Sequence, residues 1–283
     1  RLLMGVNKTM KKTIFKFIMG ASLLALTYGC SEQKQATSSD EINVGVILGF
    51  TGPIESLTPT MAASAEMAYK EASDSGKLLG GTTITVVRAD STCIDAAAAT
   101  SAAERLITSD NVVAIMGADC SGVTTAIANN VAIPNGVTMI SPSATSPALT
   151  DIEDNGYFFR TAPSDARGGE ILAQVVLEKG ISSVAVTHTN NDYGKGLADS
   201  FSSAYTALGG TVTIDIAHED GKGDYSAEVG TLSASGANEL VVIGYLDQGG
   251  RGIIQSSIDS GAFSRFVLSD GMIGQSLIDN VDG

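Results

Sequence analysis

Residues 112–140 read VVAIMGADCSGVTTAIANNVAIPNGVTMI, and this stretch decides the fold. An apolar run at 112–116 predicts a strand, the small and polar residues Gly117-Ala-Asp-Cys-Ser121-Gly122 a loop, residues 122–134 a helix, and 137–140 a second strand. Neither strand alternates apolar with polar residues, which is the pattern of strands buried on both faces, as in parallel sheets covered by helices. Working outward, the same switch recurs along the chain. Strands are predicted at 42–48, 83–89, 112–116, 137–140, 183–187, 211–216, 239–243 and 266–268, and helices around 59–75, 94–108, 122–134, 165–179, 193–208, 224–235, 248–260 and 272–279. Strict βαβα order predicts a doubly wound α/β architecture.

A break falls at Tyr157-Phe-Phe-Arg160-Thr-Ala-Pro163, after a Ser-, Pro- and Thr-rich loop at 141–151, with four βα units before it and four after. Two lobes of similar build are therefore expected, lobe one over 41–160 and lobe two over 161–283. Each has an ordinary domain size of roughly 120 residues. Ligands of open α/β sheets bind beyond the carboxyl ends of the strands, so two facing lobes create one cleft between them.

Composition narrows the function. The 283 residues carry 17 Lys+Arg against 31 Asp+Glu, a formal net charge of −14. A polyanionic nucleic-acid partner is disfavoured, because phosphate binding rests on clustered Lys and Arg. Three Cys and two His leave little for a disulfide-dense scaffold or a protein-only zinc site, and neither a metal nor a cofactor is expected. The charge is uneven. Residues 1–29 hold five basic side chains and no acidic one, which leaves −19 on the rest. Met10-Lys-Lys12 followed by the apolar run at 17–26 has the form of a secretory signal peptide, too short for the about 20 residues that span a bilayer. The run ends in Leu26-Thr-Tyr-Gly-Cys30, which resembles the lipobox of bacterial lipoproteins, with Thr27 where an aliphatic residue is usual. That resemblance implies a signal peptide at 1–29, a lipidated Cys30 that anchors the protein to a membrane, and a polar tether at 30–40. The location implied is periplasmic or cell-surface.

The loops leaving strand ends carry the candidate chemistry. Ser121 opens a helix, where its hydroxyl can cap the helix or accept a ligand carboxylate beside free N–H groups. In Ser141-Pro-Ser143-Ala144-Thr145-Ser-Pro147, small residues allow close backbone approach and Thr145 offers a hydroxyl. The second half supplies Asn190-Asn-Asp-Tyr193-Gly-Lys-Gly196, Gly244-Tyr245-Leu-Asp247 and Ser269-Asp270-Gly271. Asp270 is expected to be partly sheltered and to suit a ligand ammonium; a turn Asp beside Gly is the plainer reading. Cys93 and Cys120, 27 positions apart, read as a disulfide in an exported protein, with a catalytic Cys as the alternative. His188 and His218 read as partly exposed structural residues, and Gly249-Gly-Arg251-Gly as a helix opening. No G-x-S-x-G elbow, P-loop, post-strand G-x-G-x-x-G, H-E-x-x-H or C-x-x-C occurs, so no enzyme is indicated.

In order and spacing, Cys93, Cys120-Ser121, Met139-Ile-Ser-Pro-Ser-Ala-Thr145, Pro147-x-Leu149-Thr150, Phe159-Arg-Thr-Ala162, Asp192-Tyr193-Gly-Lys-Gly196 and Ser269-Asp270-Gly271 resemble one family. It is that of the periplasmic branched-chain amino-acid-binding proteins, the leucine/isoleucine/valine receptors of ABC importers, with the type I periplasmic-binding fold. The resemblance covers residues 41–283. It implies two parallel-sheet lobes around a ligand cleft, an amino-acid ligand and a membrane permease as partners, and no catalysis.

By the same resemblance, Ser121, Ser143, Ala144 and Thr145 hold the ligand from lobe one, through its α-carboxylate and in part its ammonium. Tyr193 and Tyr245 close over it from lobe two, and Asp270 pairs with the α-ammonium. Leu57 stands where relatives carry an aromatic contact, so the side-chain pocket is expected to differ; Asp270 is one methylene shorter than the family's Glu. Cys93 and Cys120 match the family disulfide, and 160–163 is the hinge. Family members continue through two further crossovers, which implies that this chain lacks a return segment to lobe one. A receptor for an amide, urea or aromatic acid, or a sensing domain, keeps the same fold.

Overall fold

The computed structural model describes residues 40–281. The signal-peptide, lipidation and tether expectations at 1–29, Cys30 and 30–39 lie outside the described residues, as do residues 282–283. Two parallel sheets carry the fold. The first has the order β2-β1-β3-β4-β5, built from β1 (Glu41–Leu48), β2 (Thr83–Asp90), β3 (Val112–Gly117), β4 (Thr138–Ser141) and β5 (Phe158–Arg160). The second has the order β7-β6-β8-β9, from β6 (Ser183–Thr189), β7 (Thr211–His218), β8 (Leu240–Ile243) and β9 (Phe266–Leu268).

The helices are α1 (Thr58–Asp74), α2 (Ala96–Thr108), α3 (Ser121–Ile127), α4 (Asp165–Glu178), α5 (Asp192–Ala207), α6 (Ser226–Ser233), α7 (Gly249–Ser260) and α8 (Gln275–Asn280). Local chemistry starts several of them. Asp95 accepts from the N–H groups of Ala97 and Ala98, Asn191 from those of Tyr193 and Gly194, and Ser164 from that of Ala166. Each side chain satisfies donors that have no partner inside the helix. Helix α7 begins at Gly249, as the glycine run predicts.

The sheet interiors explain the continuous apolar runs. All four residues of β8 are buried, and β1 is buried from Val44 to Leu48. One contiguous apolar cluster joins Ile47, Ile115 and Met139 of the first sheet to Val184 and Val241 of the second, with Phe201 of α5 among them. A second cluster, with Leu232, Leu240 and Ile253, fills the space under α6 and α7. Among the described residues, no helix is long and apolar enough to cross a membrane.

Three sequence expectations are corrected. The break at 157–163 contains a strand: β5 pairs with β4 in register Ile140↔Phe159, so the first sheet has five strands rather than four. The expected helix at 122–134 is α3 followed by a π-helical turn at Ala128–Ala132. His218 is not a partly exposed residue beyond a strand. It is the last residue of β7, 1 % exposed, and its Nδ1 lies 2.9 Å from the Thr187 hydroxyl. Burial holds the imidazole down at about 4.

Candidate functional site

The site grows from the carboxyl ends of the first sheet. Gly117 ends β3 with φ +128°, and a side chain there would overlap the Ile47 carbonyl of the neighbouring strand. Only glycine allows this close approach, which brings the following loop over the end of β1. In that loop Asp119 is 3 % exposed. Its Oδ2 accepts from Gly49 N–H at 2.7 Å, and its Oδ1 from Ser91 Oγ at 3.2 Å and Cys120 N–H at 3.0 Å. One carboxylate thus ties together the loops after β1, β2 and β3. Burial raises its pKa, and those donors act against the rise. The Cys93–Cys120 disulfide joins two of the same loops.

Ser121 does not cap α3. The N-cap is Cys120, without a side-chain bond, and Ser121 Oγ instead accepts from Thr145 N–H at 3.2 Å and Ser146 N–H at 3.1 Å. It therefore holds the 143–146 loop in place and keeps its own O–H proton for another acceptor. Ser141 Oγ donates to Ala118 O at 2.5 Å and accepts from Ala144 N–H at 2.9 Å; Ser143 N–H reaches it only at 3.4 Å. Arg160 pins the loop from below, donating to Ser146 O at 2.8 Å, Ala144 O at 3.3 Å and Thr150 Oγ1 at 2.6 Å.

From the second sheet come Tyr193, at the start of α5, and Tyr245, after β8. Their rings stack at 5.2 Å and 20°. The Tyr193 hydroxyl lies 2.8 Å from Asp270 Oδ1 and 3.0 Å from Ser269 Oγ, and accepts from Gly271 N–H at 3.2 Å. Burial raises both phenols well above their usual range, so both stay neutral. Asn191 Nδ2 donates to the Tyr245 hydroxyl at 3.3 Å. A Cβ added to Gly271 would stand 2.6 Å from Gly244 O and 2.8 Å from the Tyr193 hydroxyl, so this turn fits only glycine.

Between the two sheets lies a cavity of about 160 Å³. Seven expected residues line it: Leu57, Ser121, Ser143, Thr145, Tyr193, Tyr245 and Asp270. Ile54 and Met61 add apolar wall beside Leu57. Ala144 does not join them. It is buried behind the loop with its N–H engaged by Ser141 and its carbonyl by Arg160. Nor is Asp270 the sheltered acid of the region, since it is exposed, whereas Asp119 and Asp165 are buried. Asp119 sits inside a loop that sequence reasoning singled out, two residues before Ser121, and that position was its signal. Asp165 and the pinning role of Arg160 depend on contacts 10–20 residues away and leave no local trace.

A second cavity of about 520 Å³ adjoins the first, and Ser143, Thr145 and Asp270 line both. Among the described residues, no group of three or more His, Cys, Asp or Glu could hold a metal ion.

A profile described as periplasmic binding protein matches residues 41–272, most of the chain. The chain belongs to the periplasmic binding protein family. One relative is the Leu/Ile/Val-binding protein homolog 1 of Brucella melitensis, 29 % identical over 269 residues, covering 95 % of this chain and 69 % of that protein. Among solved structures, the leucine-binding protein LivK of Thermotoga maritima superposes with a TM-score of 0.74 at 26 % identity, over 84 % of this chain and 66 % of that one. The branched-chain amino acid transporter substrate-binding protein LivJ of Streptococcus pneumoniae, in complex with isoleucine, gives 0.72 at 28 %, over 85 % and 67 %. This periplasmic binding protein thus spans about two thirds of the length of its relatives. Its two parallel-sheet lobes are those of the type I periplasmic-binding fold, as the sequence resemblance implies.

Proposed function

We propose that this protein is the solute receptor of an ABC importer and captures an amino acid with an apolar, branched side chain between its lobes, 41–160 and 161–283. The observation that carries the reading is the lining of the 160 Å³ cavity, which has donors on one wall, a carboxylate on the other and apolar side chains between. Its small volume suits a solute of amino-acid size rather than the larger ligands of most pockets.

Each end of a zwitterion has a counterpart. The Ser121 hydroxyl proton is free of the bonds its oxygen accepts, and Ser143 N–H is held only loosely, so both suit a carboxylate. Asp270 suits the ammonium, with Tyr193 fixing one of its oxygens. Ile54, Leu57 and Met61 suit an aliphatic side chain. The names of the relatives support the same ligand class. Release to a membrane permease, export through residues 1–29 and anchoring through a lipidated Cys30 complete the proposal. Titration with a panel of amino acids tests it; binding of a neutral amide or urea in place of every zwitterion would refute it.

A further inference from the structure

The two tyrosines that wall the smaller cavity from the second sheet stack on one another, yet their hydroxyls are used differently. The Tyr193 hydroxyl gives its proton to Asp270 Oδ1 or Ser269 Oγ, at 2.8 and 3.0 Å, and accepts from Gly271 N–H. Among the described residues the Tyr245 hydroxyl has one partner, Asn191 Nδ2 at 3.3 Å, and there it accepts. Burial keeps this phenol neutral, so it retains a proton for which those residues supply no acceptor.

The direction of that bond is fixed from the Asn191 side. Asn191 Oδ1 accepts from Tyr193 N–H and Gly194 N–H at 3.0 Å each, the cap of α5, so turning the amide over would set its Nδ2 donors against two backbone donors. Nδ2 therefore points at the Tyr245 hydroxyl and, at 3.5 Å, at Thr189 Oγ1. A second anchor stands behind it. Thr189 Oγ1 donates to Asp220 Oδ2, and Asp220 Oδ1 accepts from Gly249 N–H at 3.0 Å, which leaves the threonine oxygen as an acceptor toward Asn191. The acids that act on Tyr245 through space, Asp220, Asp119 and Asp270, take their donors from other groups. Asn191 also faces the first lobe: a Cβ built at Gly122 would stand 3.8 Å from Asn191 Cβ, so the amide lies against the residue that follows Ser121.

We propose that Asn191 is a positioning residue that makes the Tyr245 hydroxyl a donor and reserves its proton for the solute's carboxylate. The proposal rests on the amino-acid reading above and deepens it. Asn191 acts through Tyr245 and not by touching the ligand. A buried donor left unspent costs free energy in the empty receptor, and that cost is recovered when an anionic oxygen arrives. An ammonium placed there would meet the hydroxyl proton instead, which orients the zwitterion with its cationic end at Asp270.

The test is titration of the full chain with L-leucine, L-isoleucine and L-valine for the wild type, Asn191→Ser and Asn191→Asp, each also combined with Tyr245→Phe, with folding followed by thermal melting. Asn, Ser and Asp cap a helix about equally well, so a capping role alone predicts three similar affinities. The proposal predicts a graded loss. Ser is too short to reach the phenol and leaves its hydroxyl free to turn, which should weaken binding by a small factor. Asp keeps the cap but accepts the Tyr245 proton, which should weaken binding at least about tenfold. In the Tyr245→Phe background the Ser variant should match its Asn parent and the loss caused by Asp should shrink, because the group through which Asn191 acts is gone. If Asn191→Asp does not fold, Asn191→Ser and Tyr245→Phe still complete a cycle. Equal affinities for the capping residues, or losses undiminished in Tyr245→Phe, would overturn the inference while leaving the amino-acid reading intact. A wild type that takes up none of the three amino acids would overturn both.

Discussion

Ser56 of the first lobe donates its hydroxyl to Asp247 Oδ2 of the second at 2.7 Å, and its N–H to the same oxygen at 3.1 Å. Asp247 N–H returns a bond to Pro53 O at 3.1 Å, and Ser276 holds the other carboxylate oxygen at 2.7 Å. The loop before α1 is thus fastened to the loop after β8 directly beside the cavity formed by Leu57 and Tyr245. These bonds join the two lobes directly across the mouth of that cavity.

Asp247→Ala should therefore favour an open form. Two interlobe hydrogen bonds at a partly exposed site are worth about 1–2 kcal/mol together, so ligand affinity should fall about 5- to 30-fold. Titration gives the affinity, and small-angle scattering should report a larger radius of gyration for the variant. Equal radii and equal affinities would remove Asp247 from the closing mechanism.

The Cys93–Cys120 disulfide closes a loop of 27 residues and anchors the turn that presents Ser121. Replacing both cysteines by Ser should lower stability by about 2–4 kcal/mol and bring the melting temperature down. The loss should be reproduced in the wild type by a reductant and be absent from the variant. A melting temperature indifferent to reductant would contradict this role.

Acid should act on His218 and Asp165 in opposite senses. The His218 imidazole is lowered from 6.5 to about 4 by burial, so its contribution to stability is complete above pH 6.5 and is lost as pH falls toward 4. Over that window the change is about 3 kcal/mol. Asp165 is raised from 3.8 to about 6, so its contribution is complete below pH 3.8 and is lost as pH rises through 6. The two slopes offset one another between pH 4 and 6. Asp165→Asn should remove one of them. The variant is expected to melt higher than the ligand-free wild type at pH 7, by about 1–2 kcal/mol of added stability, and to lose that advantage on acidification. Thermal unfolding from pH 4 to 7 checks this; parallel curves for the two proteins would count against the buried state of Asp165.

Much of this architecture was legible because burial on both faces writes itself into the sequence. Runs such as Leu240-Val-Val-Ile243 have no polar alternation, and all four side chains are buried. Strand β5 escaped because three residues, Phe158-Phe-Arg160, are too few to show a period and owe their conformation to pairing with β4. Six site residues stand in the segments that leave strand ends, Leu57 comes only from the family resemblance, and all seven surround one cavity. What stayed hidden was how those loops are held. Ser121 looks locally like a helix cap, yet its oxygen serves residues 24 and 25 positions later. Asp119 likewise takes a donor 70 positions away. Burial of a carboxylate is decided by contacts between distant segments, and no local pattern records it.

The most direct test of the central claim is calorimetric titration of the full chain with leucine, isoleucine, valine and a panel of other amino acids, together with neutral amides and aromatic acids, for the wild type and Asp270→Ala. The account predicts saturable one-to-one binding of at least one branched-chain amino acid, weakened at least about tenfold in Asp270→Ala by loss of a charge-assisted bond. Absence of heat with every zwitterionic amino acid, or amino-acid binding indifferent to Asp270→Ala, would contradict it.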